Sequence, residues 1–164
     1  RLKHITKAAL AVAKTGLPVF PTRNKKPAWS NKELGVAKGE GGYKIATTDP
    51  KEVRRLFEHA RATEIAVPMG AMSGLICVDV DSHKSQAAVQ WLRDHWELLK
   101  GALIHKTRSG GFHFIFEHPG ESVRFFPATL SEGVDLKAGG TGYICWPGTE
   151  GYMDVEARDV EALF

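Results

Sequence analysis

Apolar residues change their spacing several times along this chain, and each spacing predicts a different element. Near the start they recur at helical spacing, which predicts an amphipathic first helix that ends near Gly16. Residues 17–20 predict a short strand closed by Pro21. Residues 22–42 are rich in Lys, Gly, Pro and Asn and follow no period, so they predict a long loop.

The rest of the chain carries clearer signals. Asp49 and Pro50 open a helix, because Asp caps the first turn and Pro fits its start. The apolar run at 75–80 predicts a central strand that is covered on both faces. Two more helices are predicted at 85–99 and 155–164, and five more strands at 65–69, 102–105, 112–117, 134–136 and 143–146. Strands and helices alternate without repeats, which predicts an α/β or α+β domain with a mixed sheet.

Composition narrows the class of protein but not its function. With 164 residues, of which 43% are hydrophobic and 25% charged, the chain can form one domain with a real core. The net charge of +3 is too small to argue for a polyanionic partner. Cys77 and Cys145 lie in separate apolar runs, which predicts buried thiols and a reducing setting, without a zinc site. No stretch approaches the roughly 20 apolar residues of a membrane span.

The first candidate site is the sequence Val-Asp-Val-Asp at 78–81. Side chains alternate along a strand, so Asp79 and Asp81 point to the same face, about 7 Å apart along the chain. Two neighbouring carboxylates suit Mg²⁺ or Mn²⁺, which bind hard oxygen ligands together with substrate phosphates. The alternative is that the strand ends here and that both acids are solvated.

The second candidate site is the glycine turn and strand at 107–116. Gly110 and its neighbour Gly111 let the backbone approach a ligand closely, and His113 faces the opposite side from the alternating phenylalanines. With Arg108 and Ser109 beside the turn, a phosphate is the natural ligand. The alternative is a β-hairpin with a partly buried histidine.

A third acid completes the set. Asp135 lies between two apolar residues on a short strand and could join Asp79 and Asp81. Lys137 shares its face and could contact a phosphate or pair with the acid. Three carboxylates that hold two metal ions, beside a cationic turn that holds a triphosphate, could carry out attack of a hydroxyl on an α-phosphate. Arg23, Lys25 and Lys26 of the long loop could also contact phosphates, or the loop could be a solvated basic one.

Three motifs follow one another along the chain: an Asp-x-Asp strand, a Ser-Gly-Gly-x-His strand and a later Asp. Their order resembles that of the three motifs of the archaeo-eukaryotic primase superfamily. More closely, residues 5–150 resemble the primase-polymerase (bifunctional DNA primase/polymerase N-terminal) domain of plasmid, phage and mobile-element replication proteins. Further segments fall in family order: Lys26-Pro27, Thr48-Asp49-Pro50, Met72-Ser73-Gly74-Leu75, Gly133-Val134-Asp135 and Trp146-Pro147-Gly148-Thr149. Two departures are Pro147-Gly148-Thr149, where relatives often have Pro-Pro-Ser, and the lack of cysteines for the zinc-binding stem that some relatives insert.

The resemblance implies the residue roles. Asp79, Asp81 and Asp135 would bind Mg²⁺ or Mn²⁺, and all three would be catalytic together with His113. His113 would contact the nucleotide's phosphates, and further nucleotide contacts are expected from the turn and the nearby lysine: Arg108, Ser109, Gly110 and Lys137. The implied fold is an RRM-like catalytic sheet packed with a smaller N-terminal α/β module.

The resemblance also implies a function: a DNA-directed primase/polymerase, that is, a nucleotidyltransferase of DNA replication. Its partners would be a single-stranded DNA template, a primer and nucleoside triphosphates, with a helicase or helical module in the full-length protein. We expect one catalytic domain over residues 1–164, in a prokaryotic cytoplasmic setting and as a piece of a longer replication protein. A piece without the helical module should extend primers more readily than it starts them.

Two other functions stay open at this stage. The domain could be a non-catalytic module that binds single-stranded nucleic acid through exposed aromatic residues. It could also be a different metalloenzyme, an iron oxygenase or a hydrolase that uses His113 with the aspartates. His83 and His105 are available for such a site, but neither has motif spacing with His113.

Overall fold

The computed structural model describes residues 1–120 and 122–164, which form helices and two antiparallel sheets. The strands are β1 (Phe20–Arg23), β2 (Lys26–Pro27), β3 (Glu64–Pro68), β4 (Leu75–Val80), β5 (Leu103–Lys106), β6 (Phe112–Glu117), β7 (Ala128–Ser131), β8 (Val134–Lys137), β9 (Tyr143–Cys145) and β10 (Met153–Val155). The α-helices are α1 (His4–Lys14), α2 (Asn31–Leu34), α3 (Pro50–Phe57), α4 (Gln86–Asp94), α5 (Trp96–Leu99) and α6 (Ala157–Glu161), and Gly42–Ile45 forms a 3₁₀ turn.

The α+β class is confirmed, but the expected mixed sheet is wrong. All pairings between the described strands are antiparallel. The chain divides into two compact units, the first with residues 1–68 and 143–150, and the second with residues 69–142 and 151–164. The expectation of one catalytic domain over 1–164 stays a prediction. Among the described residues, no helix combines the length and apolar character needed to cross a bilayer.

The first unit contains a four-stranded sheet in the order β2-β1-β3-β9, with α1 and α3 packed beside it. As predicted, α3 begins at Asp49-Pro50, and the Asp49 side chain accepts a hydrogen bond from the Lys51 backbone N–H. The apolar face of α3 is buried. In the turn after β9, the Thr149 hydroxyl accepts a hydrogen bond of 2.8 Å from the Ile65 backbone N–H. The hydroxyl of this Pro-Gly-Thr turn therefore has a structural role.

The second unit contains a six-stranded sheet in the order β10-β5-β6-β4-β8-β7. Alternate side chains of β4, β6 and β8 pack with α4, α5 and α6 in one hydrophobic core. Phe112 and Phe114 belong to this core, as their alternation predicted. The polar residues between them on these strands, such as His113, therefore belong to the other face of the sheet.

Four element predictions are wrong. The strand predicted at 17–20 with Pro21 as its end is β1, which begins at Phe20 and continues through Pro21 to Arg23. The long loop at 22–42 contains the end of β1, strand β2 and helix α2, which Ser30 and Glu33 open with a reciprocal capping box. The helix at 85–99 is interrupted at His95, whose backbone (φ −110°, ψ 12°) is not helical. The final helix at 155–164 is shorter, because the chain first pairs with β5 as β10. The patterns did not predict β7 or β10, since both are short and mostly exposed.

Candidate active site

A row of six polar residues crosses the second sheet, one from each strand. Each is directly opposite the next in the strand register, and in sheet order the row is Asp154, His105, His113, Asp79, Asp135 and Thr129. Side chains directly opposite one another on antiparallel strands share a face, with Cβ atoms about 5 Å apart. Strand pairing thus brings His113, Asp79 and Asp135 together from distant parts of the chain.

Asp79 lies at the centre of the candidate site, on the strand between β6 and β8. Its Oδ1 is 3.6 Å from Nε2 of His113, and its Oδ2 is 3.6 Å from Nζ of Lys137. The Asp79 side chain is 16% exposed, whereas that of His113 is 7% exposed. Nδ1 of His113 is buried and has no hydrogen-bond partner among the described residues. Each oxygen of the Asp79 carboxylate therefore lies near a nitrogen atom, one from the His113 imidazole and one from the Lys137 ammonium group.

The other two predicted acids flank Asp79. Asp135 is directly opposite it on β8, and its Oδ1 accepts a hydrogen bond of 3.1 Å from the Thr129 hydroxyl. Asp81 follows the end of β4, where its backbone N–H donates to the Gly133 carbonyl at 2.8 Å. Both side chains are half-buried. The carboxylates of Asp79 and Asp135 thus lie side by side on one face, with Asp81 just beyond the strand end.

The glycine turn between β5 and β6 packs against the end of β4. The Thr107 hydroxyl accepts from the Gly111 N–H at 3.0 Å, and Gly110 has a φ of +100°. A Cβ on Gly111 would lie 2.5 Å from the Val80 carbonyl oxygen, so only glycine allows this approach. The predicted phosphate-binding turn, with Arg108 and Ser109 exposed on it, therefore touches the strand end that leads to Asp81.

Tyr152 is a site residue that the sequence analysis missed. Its buried ring lies 6.3 Å from the His113 ring, with 29° between the planes, and the Arg108 guanidinium lies 5.4 Å from its centroid. Tyr152 thus contacts two predicted phosphate ligands from different strands and turns. No local pattern indicated it, because its position depends on the pairing of β10 with β5.

His105 lies next to His113 in the row and is 1% exposed. Its Nε2 is 3.1 Å from Oδ1 of Asp154, whose side chain is 75% exposed. The pKa of His105 is lowered from 6.5 to about 4, mainly by burial and also by the neighbouring His113, while Asp154 opposes the shift. The imidazole of His105 is therefore neutral at physiological pH.

Cys77 shares the face of Asp79, two residues earlier on β4. It is fully buried, as the sequence analysis predicted, and so is Cys145. Burial raises the pKa of the Cys77 thiol well above its ordinary value, and the nearby Asp79 carboxylate adds to this effect. The thiol beside the candidate site is therefore protonated and unreactive at physiological pH.

The carboxylate oxygens of the acidic residues are donor atoms that suit a divalent metal ion. Mg²⁺ and Mn²⁺ take carboxylate oxygens, and Asp79 and Asp135 present such oxygens from opposite positions on two paired strands. The Asp79 oxygens face His113 and Lys137 at 3.6 Å, beyond a normal hydrogen bond, so neither interaction holds the carboxylate tightly. Within residues 1–120 and 122–164, no three His, Cys, Asp or Glu side chains are grouped closely enough to hold a metal ion.

Comparison with known proteins gives the family. A model of the N-terminal domain of bifunctional DNA primase/polymerases matches residues 9–161, which is nearly the whole chain. No curated protein matches the sequence. The match spans both compact units and all the strands that form the polar row. The family's activity is DNA primase and polymerase, which implies DNA and nucleotides as substrates. This chain belongs to the bifunctional DNA primase/polymerase family.

Proposed function

We propose that this domain is a template-directed nucleotidyltransferase that joins nucleoside triphosphates to a primer or an initiating nucleotide. The observation that carries the proposal is the alignment of His113, Asp79 and Asp135 on three adjacent strands. This places a candidate phosphate ligand and two candidate metal ligands side by side, as phosphoryl transfer requires. The family match supports the reaction class.

Asp79 and Asp135, the pair that lies side by side, would hold Mg²⁺ or Mn²⁺ together with phosphate oxygens of the substrate, and Asp81 just beyond the strand end would join them as the third ligand of a two-ion site. Bound there, the ions would lower the pKa of the attacking 3′-hydroxyl and neutralise charge on the leaving pyrophosphate. Asp135 is oriented for this role by the hydrogen bond from Thr129, and Asp79 by its position between β6 and β8. A prokaryotic replication setting, with a helicase or helical module in the full-length protein, is part of the same proposal.

The cationic and polar groups around the acids would bind the triphosphate. His113 donates a hydrogen bond to a phosphate oxygen, while Tyr152 supports its ring from one side. Arg108, with Ser109 and Gly110 of the glycine turn, contacts the outer phosphates. Lys137, which is 33% exposed next to Asp79, offsets negative charge on the incoming nucleotide.

The alternative, a non-catalytic module for single-stranded nucleic acid, gains less support. Such modules stack bases on aromatic residues that are exposed on a sheet. The phenylalanines of β6 instead face the core, and Phe112 and Phe114 are buried there. The opposite face of the same strands carries acids at Asp79 and Asp135, which would repel phosphates without metal ions.

Nucleotide incorporation on a single-stranded template tests the proposal, with and without a primer and with Mg²⁺ or Mn²⁺. Asp79→Asn and Asp135→Asn should each lower incorporation by about a hundredfold or more, because each removes a charged metal ligand. Asp94→Asn on the exposed surface of α4 is the matched control and should stay near wild type. Wild-type rates in Asp79→Asn would refute the catalytic role.

A further inference from the structure

The β1–β2 hairpin of the first unit carries three exposed cations within four residues. Arg23 ends β1, Lys25 lies in the turn and Lys26 begins β2. Arg23 and Lys26 are directly opposite each other in the strand register. Like charges at such positions destabilise a sheet. Among the described residues, none of the three cations has an ion-pair partner.

The turn of this hairpin has an unusual backbone. Asn24 and Lys25 have φ values of 51° and 64°, and they are the only non-glycine residues with positive φ in the described parts of the chain. Left-handed backbone costs about 1–2 kcal/mol for a residue with a side chain, somewhat less for Asn. A glycine would relieve this cost at either position, yet the chain has a lysine in the turn.

Two side chains from neighbouring strands hold the turn in this conformation. Glu64 of β3 is 1% exposed, and its Oε1 accepts from the Lys25 backbone N–H at 2.8 Å and from the Thr22 hydroxyl at 2.9 Å. The Tyr143 hydroxyl of β9 donates to the Lys25 carbonyl at 2.8 Å. Burial raises the pKa of Tyr143, so this hydroxyl keeps its proton. The peptide groups of Lys25 are thus bonded on both sides, while its side chain projects outward.

Charge is distributed unevenly between the two units. The first unit has 14 Lys and Arg against 7 Asp and Glu, a net charge of +7, whereas the second has 8 against 12, a net charge of −4. The total of +3 conceals this separation. A polyanion is therefore attracted to the first unit, and the hairpin offers a phosphate chain three exposed cations within four residues.

We propose that the β1–β2 hairpin binds backbone phosphates of the single-stranded DNA on which the domain acts. Bound phosphates relieve the repulsion between Arg23 and Lys26, which explains why the sheet tolerates like charges there. The held turn fixes the position of Lys25, so binding orders fewer side-chain and backbone torsions. This inference rests on the proposed template-directed function, and it assigns a DNA contact to residues other than the proposed metal ligands.

Binding of a fluorescently labelled oligothymidylate, measured by anisotropy over a range of salt concentrations, tests the hairpin. A triple variant of Arg23→Gln, Lys25→Gln and Lys26→Gln should bind at least about tenfold more weakly at low salt. Its salt slope should fall by about 2, since each single-strand phosphate contact contributes about 0.7. The assay requires no catalysis, so it reports on the hairpin even if the polymerase proposal fails.

A matched triple variant controls for net charge. Lys7→Gln, Lys14→Gln and Lys51→Gln remove the same charge from exposed positions on the helices of the same unit. This control variant should bind oligothymidylate less than about threefold more weakly than the wild type. Equal losses in the two triple variants would overturn the proposal, because general attraction alone would then explain binding.

A second experiment tests whether the hairpin binds the phosphates of the DNA strand or those of the incoming nucleotide. Binding of a nucleoside triphosphate with Mg²⁺ should be the same in the hairpin variant and the wild type. Loss of nucleotide binding with unchanged oligothymidylate binding would overturn the assignment to the DNA strand. In primer extension, the hairpin variant should show a raised KM for DNA and an unchanged kcat, which distinguishes it from Asp79→Asn.

Discussion

His105 should make the free energy of unfolding depend on pH below neutrality. Its imidazole is 1% exposed and is neutral in the folded protein, because burial lowers its pKa from 6.5 to about 4. The charged groups that face it are Asp154, which favours protonation, and His113, which opposes it. In the unfolded chain the same group gains a proton near pH 6.5. Between these values the unfolded state binds more protons, so stability falls as pH falls.

The magnitude follows from the two pKa values. Above about pH 7 the contribution of His105 to stability is fully present, and it is lost progressively as pH falls towards 4. Relative to pH 8, the loss from this residue is about 1.4 kcal/mol at pH 5.5 and about 2 kcal/mol at pH 5.0. The loss reaches its limit of about 3.4 kcal/mol when His105 is fully protonated in both states, at about 1.4 kcal/mol for each pH unit between the two pKa values.

Urea unfolding of the wild type and of His105→Gln at pH 8.0, 5.5 and 5.0 measures this effect. The variant is less stable at pH 8, but it should lose about 2 kcal/mol less than the wild type between pH 8 and pH 5. Titrating groups that do not interact with His105 are present in both proteins and cancel in the difference. His4→Gln, an exposed histidine on α1, is the control and should keep the wild-type dependence. Equal pH dependence in the wild type and His105→Gln would refute the reasoning.

Two further changes test the support of the candidate site. Gly111→Ala should destabilise the protein by about 1–3 kcal/mol and raise the KM for nucleotide, because its Cβ would lie 2.5 Å from the Val80 carbonyl. Gly74→Ala, which has a φ of +72° but open space around it, should cost about 1 kcal/mol and leave KM unchanged in the same denaturation and kinetic assays. Tyr152→Leu should raise the KM for nucleotide severalfold by removing the ring beside His113, whereas Tyr152→Phe, which keeps the ring, should raise it less. An unchanged KM in Tyr152→Leu would contradict this role.

The sequence predicted the central elements well because their signals are local. The apolar run of β4 and the alternation of β6 gave both strands with the bounds that the structure shows. Helix α3 begins where Asp49-Pro50 predicted. Each of these signals depends on neighbouring residues alone, so no knowledge of the distant chain was needed. The order of the motifs also led to the correct family.

The errors have two physical causes. Short elements contain too few residues to show a period, so the sequence predicts a loop where β2 and α2 form, although Ser30 and Glu33 make a recognisable capping box. Strand register depends on segments far apart in sequence, so no pattern placed His105 or Tyr152 beside His113. The buried Glu64 under the basic hairpin was missed for the same reason.

The same strand register couples the core to the candidate site. On β6, Phe112 and Phe114 fill the core while His113 lies between them on the opposite face. A slip of one residue would bring His113 into the core and expose both phenylalanines, which would cost several kcal/mol of lost burial. The apolar residues that stabilise the sheet thus also determine which polar residue is opposite Asp79. Because β8 is bound to β4 in the same way, the position of Asp135 follows from the burial of Val134.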